Sequence, residues 1–389
     1  MTSNSCCSSS GSPEPTDPTA AVPTPCSCGK AEEQPGTGIG SFDAAWVARS
    51  LSHAGTEFPV VSTVLTAADR LGAWKLRWGI GRYSSTVQPG LYAVGNPDEN
   101  APVFVTANYK LSFDRLRVNL AGYDGWVLVL DTKGINVWCA AGKGTFGTRE
   151  LVTRIALCGL DRVVAHRTLI LPQLGATGIA GHLVKQFTGF RVVWGPVRAE
   201  DLPAFLERGL KATPDMRLVR FPLGDRLALV PLELVMGLKY ALPIGLAMFA
   251  VSGFGIGGFS LERMLARGIP NLSLLLAVYA AGAALTPILL PWLPGRAFAL
   301  KGGFAGALLA AAVAGLAFAS PAVFPNRVQL AAWMVLIPAV VSFLGMQFTG
   351  ASTYTSLSGV MKEMKIAIPL QIAGVCIALV LWVVSLFVG

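Results

Sequence analysis

The pattern of charged and apolar positions divides the 389-residue chain into two unlike parts. In the C-terminal part, uncharged runs are long enough to supply the roughly 20 residues with which a helix crosses a bilayer. Five such runs follow one another, at residues 240–261, 268–295, 302–326, 328–361 and 366–389. Buried core helices are the alternative, but five consecutive runs of this length favour membrane spans. The pattern predicts an all-α transmembrane domain of about five helices at residues 227–389.

Between residues 101 and 226 the chain instead alternates strand-like and helix-like segments. The predicted strands are 102–107, 126–130, 162–165, 168–171 and 191–194, and the predicted helices are 112–121, 136–143, 148–160, 179–187 and 199–210. Such alternation is typical of an α/β, Rossmann-like domain with a mostly parallel sheet, which binds ligands outside the carboxyl ends of its strands. Residues 41–100 are expected to form a leading subdomain packed on this unit.

Composition and charge indicate where these parts lie. Charged residues make up 14% of the chain, against about one quarter in soluble domains. Lys and Arg cluster at alternate ends of the predicted spans: Lys211, Arg217, Arg220, Arg226, Arg296, Lys301, Lys362 and Lys365 on one side, and Arg263, Arg267 and Arg327 on the other. The positive-inside rule then predicts a multi-pass protein of the bacterial inner membrane, with a cytoplasmic α/β domain and Gly389 outside.

The net charge of +9 is mainly a consequence of this topology. It favours contact with anionic membrane lipid over nucleic-acid binding, because no basic motif is interleaved with aromatic residues. At the entrance to the first span, Glu233 and Lys239 are expected to reach the membrane interface, although a functional pair inside the membrane stays open.

Residues 1–40 combine Ser, Gly, Pro and Thr with four cysteines, Cys6, Cys7, Cys26 and Cys28. This composition predicts a disordered tail. With one Lys, no Arg and no continuous apolar core, the segment does not have the pattern of a signal peptide. No Cys-x-x-Cys occurs in the chain, so neither a zinc ribbon nor a ferredoxin-type cluster is predicted. Any electrons that the protein uses must therefore come from another chain.

Cys139 is the residue whose position most strongly suggests chemistry. If Gly134 ends the turn after strand 126–130 and Asn136 is the N-cap, Cys139 is the third residue of a helix, where free N–H groups favour an anion. Lys143, one turn further on, adds a positive charge. A thiolate in this position is a metal ligand or a nucleophile. The alternative is a small buried residue that packs the helix, the commoner fate of a free cysteine.

The run Asn136-Val137-Trp138-Cys139-Ala140-Ala141-Gly142-Lys143 resembles the cap-helix motif of the membrane-bound corrinoid proteins of bacterial mercury methylation. The resemblance extends from about Phe58, through residues 105–112, to the last apolar run. It implies a corrinoid (cobalamin-type, cobalt) cofactor with the Cys139 thiolate as lower axial ligand. The Asp-x-His-x-x-Gly signature of a histidine ligand is absent, and His53, His166 and His182 have no comparable context.

The resemblance also implies a reaction and partners. A methyl group carried by the corrinoid cobalt, supplied by a methyltetrahydrofolate-linked donor, would pass to Hg(II) to form methylmercury. A ferredoxin-like iron-sulfur protein would supply electrons. The tail cysteines then become a hypothetical capture site for Hg(II), with incidental free thiols as the alternative.

Related corrinoid iron-sulfur proteins of the acetyl-CoA pathway imply further cofactor contacts. The residues carried over are Thr106, Ser112, Asn136, Val137, Trp138, Cys139, Ala140, Ala141, Gly142, Lys143 and Ala199. The small residues 140–142 would let a flat macrocycle approach the helix, or would serve ordinary close helix packing. Residues 175–178 form either another cofactor loop or a simple glycine turn.

Two other functions stay open. One is a corrinoid one-carbon carrier of the acetyl-CoA-pathway type, although that relative lacks a cap-helix cysteine and membrane spans. The other is a polytopic transporter with a cytosolic α/β domain, for which the polar residues at 347–356 are a weak indication, being equally typical of an interfacial loop.

Overall fold

The computed structural model describes residues 38–82, 84–319, 324–348 and 357–388. Cys6, Cys7, Cys26 and Cys28 of the predicted tail lie outside these residues, as do positions 349–356 of the polar run in the predicted transmembrane domain.

In the part of the chain that the structure describes, seven strands form one mixed sheet. They are β1 (Val47–His53), β2 (Thr56–Val61), β3 (Gly90–Val94), β4 (Val103–Ala107), β5 (Gly125–Leu130), β6 (Thr168–Leu171) and β7 (Arg191–Trp194). Their order is β1-β2-β3-β5-β4-β6-β7. The four neighbouring strands β5, β4, β6 and β7 are mutually parallel, which confirms the predicted α/β class. Residues 41–100 contribute the other three strands to this sheet, with β3 antiparallel to β5.

Within the described residues, eight helices precede the five long ones. They are α1 (Ala67–Arg77), α2 (Lys110–Asn119), α3 (Val137–Lys143), α4 (Thr148–Leu157), α5 (Leu160–Val163), α6 (Gly181–Thr188), α7 (Leu202–Glu207) and α8 (Leu223–Leu227). The predicted strand at 162–165 is wrong, because Gly159, with φ +57°, ends α4 and allows a short helical turn that buries Leu160 and Val163. The predicted helix at 199–210 is a 3-10 turn followed by α7.

The sheet carries an apolar layer on each face. Every residue of β3, β4 and β5 is buried, the pattern of strands covered on both sides. Leu128 and Leu169 belong to one layer with Phe146, and Val127 and Ile170 to the other with Phe113. This two-sided core fixes the ends of the parallel strands, and with them the loops that follow.

The described residues of the C-terminal part form five long helices: α9 (Val230–Val251), α10 (Leu261–Leu289), α11 (Phe298–Ala319), α12 (Arg327–Gln347) and α13 (Leu357–Phe387). Among the described residues, five segments are long and apolar enough to cross a membrane, which matches the predicted number. The first segment starts at Leu223, well before the uncharged run that begins at Tyr240, so Glu233 and Lys239 lie within it.

Candidate functional site

A cleft of about 430 Å³ opens at the carboxyl ends of β4, β6 and β7. Its walls are the last residues of β4 and β6, the first turns of α2, the entrance to α3 and the loop after β7. Lining residues include Thr106, Tyr109, Ser112, Asn136, Val137, Trp138, Pro172, Gly195, Pro196, Arg198, Ala199 and Asp225. This is the edge of the sheet at which α/β proteins bind ligands.

Six of the residues predicted from the sequence meet in this cleft: Thr106, Ser112, Asn136, Val137, Trp138 and Ala199. Thr106 is buried at the end of β4, Ser112 lies in the first turn of α2, and Ala199 begins the 3-10 turn after β7. Residues more than 90 positions apart in the sequence are thus brought to one place.

Helix α3 begins as the sequence predicts. Asn136 is the N-cap, with φ −63° and ψ 159°, and its Oδ1 accepts a hydrogen bond of 2.9 Å from the backbone N of Cys139. Cys139 is therefore the third helical residue, and its side chain is exposed. Lys143, in the last turn of the helix, is also exposed, and Gly144, with φ +81°, ends it. The exposure of Cys139 rules out the alternative of a buried packing residue.

The three small residues after Cys139 do not share one environment. Ala140 and Ala141 are buried in the core beneath α3, so their side chains do not line the cleft. Gly142 is exposed. For the two alanines, the structure supports the alternative of close helix packing over contact with a flat ligand.

The turn at 175–178 contributes to the same packing. A Cβ built on Gly178 would lie 2.9 Å from the Cα of Ala141 and 2.2 Å from the carbonyl O of Phe146. A Cβ on Gly175 would lie 2.5 Å from the Phe146 ring. These glycines are therefore explained by the close approach of the turn to α3 and the loop that follows it.

Asn108, just after β4, organises the loop between β5 and α3. Its Oδ1 accepts hydrogen bonds from Thr132 N (3.0 Å), Thr132 Oγ1 (2.8 Å) and Gly134 N (3.0 Å). Its Nδ2 donates to Asp131 at 3.2 Å. Burial opposes ionisation of Asp131, but hydrogen bonds from Lys133 outweigh it and hold the pKa of Asp131 below its usual value. Sequence reasoning missed Asn108, whose partners lie 23 to 26 residues away.

Arg198 and Asp225 form an ion pair on the opposite wall of the cleft. Arg198 also donates to the carbonyl O of Arg220 at 3.1 Å. Asp225 lies on α8, and the next residue, Arg226, is buried and donates to the carbonyls of Pro287 (3.0 Å) and Ile288 (2.5 Å) at the end of α10. The cleft wall is thus continuous with the helical bundle, a connection that no sequence motif indicates.

The histidines and Cys158 have other surroundings. His53 Nε2 lies 2.9 Å from Val163 O, and His166 Nε2 lies 2.9 Å from Ala101 O, while His182 is exposed on α6. Burial raises the pKa of the Cys158 thiol to about 12. Cys139 is therefore the thiol of the α/β unit that is open to a ligand.

Comparison with known proteins finds relatives for this unit. Residues 80–206 match the family model of the CO dehydrogenase/acetyl-CoA synthase delta subunit. The region that matches is the region that builds most of the cleft.

Three similar proteins are gamma subunits of the acetyl-CoA decarbonylase/synthase complex. That of Methanopyrus kandleri is 36% identical over 129 residues, which cover 33% of this chain and 28% of the relative. That of Archaeoglobus fulgidus is 32% identical over 124 residues (31% and 26%), and that of Methanothermobacter thermautotrophicus is 31% identical over 160 residues (40% and 32%). The chain thus spans less than a third of the length of these relatives.

Proposed function

We propose that the protein is a membrane-anchored corrinoid methyltransferase that forms methylmercury from Hg(II). The Cys139 thiol would hold the cobalt of a corrinoid, and the residues at the entrance to α3 would line its site. The exposed position of Cys139 at the third residue of a capped helix, directly after the cleft residues Val137 and Trp138, is the observation that carries the proposal, although Cys139 itself does not line the cleft.

The residues present fit such a cofactor. Cys139 offers a soft donor, and Asn136 accepts the hydrogen bond of the Cys139 backbone N–H and so fixes the helix turn that presents the thiol. The cleft beside it supplies polar groups at Thr106, Ser112 and Arg198 among apolar walls. His53 and His166 are each held against a backbone carbonyl within the α/β unit, which favours Cys139 as the axial ligand.

When bound, a corrinoid supplies a cobalt centre that accepts and releases a methyl group. The role of this chain's residues is to set the electronic character of that centre and its orientation. A thiolate donates more charge than an imidazole and so favours release of the methyl group to a soft electrophile such as Hg(II). Asn136 would orient the donor by capping the helix turn that carries Cys139, and Lys143 lies in the last turn of the same helix.

Mercury as the methyl acceptor rests on the motif at residues 136–143. The second candidate, a one-carbon carrier of the acetyl-CoA-pathway type, is favoured by the match of residues 80–206 to the delta-subunit family. Under either function, a methyltetrahydrofolate-linked protein would supply the methyl group, and a ferredoxin-like iron-sulfur protein would supply the electrons. The long apolar helices would place the α/β unit on the cytoplasmic face of the bacterial inner membrane.

The test uses the full-length protein loaded with corrinoid, and records its visible spectrum and methylmercury formation. Cys139→Ala should keep the wild-type unfolding temperature, because an exposed small residue replaces another. It should alter the spectrum and lower methyl transfer by at least about tenfold. Cys139→His should keep part of the corrinoid with poor transfer, since imidazole donates less charge.

Cys376→Ala is the matched control, because Cys376 is also exposed but lies on α13. It should behave as the wild type. A Cys139→Ala protein with the wild-type spectrum and wild-type methylation would contradict the axial-ligand assignment. Wild-type corrinoid binding with methyl transfer to a one-carbon acceptor, but never to Hg(II), would favour the second candidate.

A further inference from the structure

Helix α1 has a buried face and an exposed apolar face. On the inner side, Leu76 is 3% exposed and Asp69 forms ion pairs with Lys110 (2.9 Å) and Arg117 (3.0 Å) of α2. On the outer side, Leu71 is 54% exposed and Trp74 is 55% exposed. The turn that follows adds Ile80 at 58%. Three large apolar side chains this exposed within ten residues of chain indicate an interaction surface.

The same outer side is basic. Arg70, Lys75 and Arg77 are all exposed on α1, and the helix has a single acidic residue, Asp69, which is engaged on the inner side. Trp74 also lies against Trp78, with ring centroids 5.7 Å apart. Tryptophan together with Lys and Arg is the composition of helices that lie in the interfacial layer of a membrane.

The position of this surface relative to the helical bundle also favours contact with the interfacial layer of a membrane. A Cβ built on Gly79 would lie 3.4 Å from Cδ1 of Leu232 and 4.0 Å from Cγ1 of Val235, both on α9. Leu232 lies in the first turn of α9, six residues beyond Arg226. Arg226 itself contacts the final carbonyls of α10. The end of α1 therefore lies close to the level at which the long helices end.

We infer that α1 and the turn to Ile80, together residues 67–80, form an in-plane membrane anchor. Leu71, Trp74 and Ile80 enter the interfacial layer of the leaflet that faces the α/β unit, and Arg70, Lys75 and Arg77 contact anionic phospholipid headgroups. The lipid surface of α9, where Val235 is 40% and Leu238 is 43% exposed, continues into this face. The inference rests on the proposed membrane insertion of the five long helices, but not on the corrinoid.

The anchor gives the α/β unit a second point of attachment besides the α8–α9 connection. Asp69 and its partners Lys110 and Arg117 join α1 to α2, whose first turn carries the cleft residue Ser112. A lipid-bound α1 would therefore hold the cleft in a defined orientation toward the membrane surface.

The test places the full-length protein in nanodiscs that contain a phospholipid with a photoactivatable group near the glycerol, and maps the labelled peptides by mass spectrometry. We expect labels on residues 67–80 as well as on the long helices. Leu71→Ser combined with Trp74→Ser should lower labelling of residues 67–80 by about tenfold, because the burial of two large apolar side chains is lost. Both positions are exposed, so the unfolding temperature should be unchanged.

Phe187→Ser is the matched control, because Phe187 is 62% exposed on α6. It should change neither the lipid labelling of residues 67–80 nor the unfolding temperature. Charge is tested by Arg70→Gln, Lys75→Gln and Arg77→Gln together, which should reduce labelling in phosphatidylglycerol nanodiscs to the level found in phosphatidylcholine nanodiscs.

Labels on the long helices but none on residues 67–80 would overturn the inference while leaving the membrane placement intact. The absence of labels from both the long helices and residues 67–80 would overturn the membrane placement as well as the anchor. Labelling of residues 67–80 that is equal in the two lipids and insensitive to the triple substitution would refute the contact with anionic headgroups. Shielding of Trp74 only on addition of a ferredoxin-like protein, without lipid labels, would assign the surface to a protein partner and refute the anchor.

Discussion

Asn108 holds Thr132 through both its main chain and its side chain: the Asn108 Oδ1 lies 3.0 Å from Thr132 N and 2.8 Å from Thr132 Oγ1. Both residues are buried. Asn108 follows β4, whose Thr106 lines the cleft, and Thr132 begins the loop that leads to Cys139. One amide therefore joins the cleft wall to the turn that presents the candidate ligand.

Replacement of this amide should damage stability and cofactor binding together. Asn108→Ala leaves the buried N–H groups of Thr132 and Gly134 without their acceptor, at a cost of about 1–3 kcal/mol for each buried group left unpaired. We expect a lower unfolding temperature and a smaller corrinoid content per protein. Asn119→Ala removes an exposed hydrogen bond within α2, from the Asn119 side chain to Arg115 O, and should have neither effect. Wild-type stability of Asn108→Ala would show that the loop does not depend on this amide.

The cysteines of the α/β unit should differ in reactivity. Burial raises the pKa of Cys158 to about 12, so at pH 8 its thiol stays protonated. Cys139 is exposed. Iodoacetamide at pH 8, followed by peptide mass spectrometry, should modify Cys139 in the folded protein and leave Cys158 intact until the protein is unfolded. Equal modification of both would contradict the burial of Cys158.

The raised pKa of Cys158 also has a consequence for stability. The folded state keeps this thiol protonated up to about pH 12, whereas the unfolded chain releases the proton above its ordinary value of 9.0. The unfolded state then binds fewer protons, so the stability of the α/β unit should fall as pH rises from about 9 to 12. Cys158→Ala should weaken this slope, measured by denaturant unfolding at several pH values. An unchanged slope would assign it to other groups, such as Tyr92, whose pKa burial also raises to about 12.

How much the sequence predicts depends on the range of the interactions involved. The start of α3 follows from neighbouring residues, so the Asn136 cap and the position of Cys139 could be predicted and are confirmed. The parallel strands β4 to β7 follow from apolar runs. The insertion of β3 between β2 and β5 could not be predicted, because it depends on pairing between segments more than 30 residues apart.

The candidate site shows the same division. Six predicted residues line the cleft, but the side of α3 that packs inward depends on Phe146 and Gly178, which no local pattern relates to Ala141. Asn108 and the Arg198–Asp225 pair were missed for a similar reason. Each is an ordinary polar residue until the fold brings its partner within reach.

Membrane orientation is tested by reporter fusions. With five spans and a cytoplasmic α/β unit, a periplasm-active reporter fused after Gly389 should be active, and one inserted at residues 296–301 should be inactive. A cytoplasm-active reporter should give the reverse pattern. Cytoplasmic activity of the C-terminal fusion would refute either the odd number of spans or the orientation.

The Arg198–Asp225 pair should matter more for the cleft than for stability. Both side chains are partly exposed, at 35% and 41%, so the pair should contribute at most about 1 kcal/mol to unfolding. Asp225→Arg, however, sets two like charges against each other within one wall of the cleft, between the loop after β7 and α8. We expect a several-fold loss of corrinoid affinity, since each 1.4 kcal/mol of repulsion is worth about tenfold. The loss should shrink at high salt, which screens exposed charges.

The exchanged variant Arg198→Asp/Asp225→Arg decides whether the pairing or the individual residues matter. If the ion pair positions the wall, exchange should restore most of the affinity, because opposite charges again face each other. Arg226→Gln should behave differently from Asp225→Arg and from the exchanged variant, because Arg226 is buried and donates to the carbonyls of Pro287 and Ile288. Its loss should lower the unfolding temperature and the corrinoid affinity together, because α8 is then released from the end of α10. Wild-type corrinoid affinity in Asp225→Arg, in Arg198→Asp/Asp225→Arg and in Arg226→Gln would show that the helical bundle does not shape the cleft.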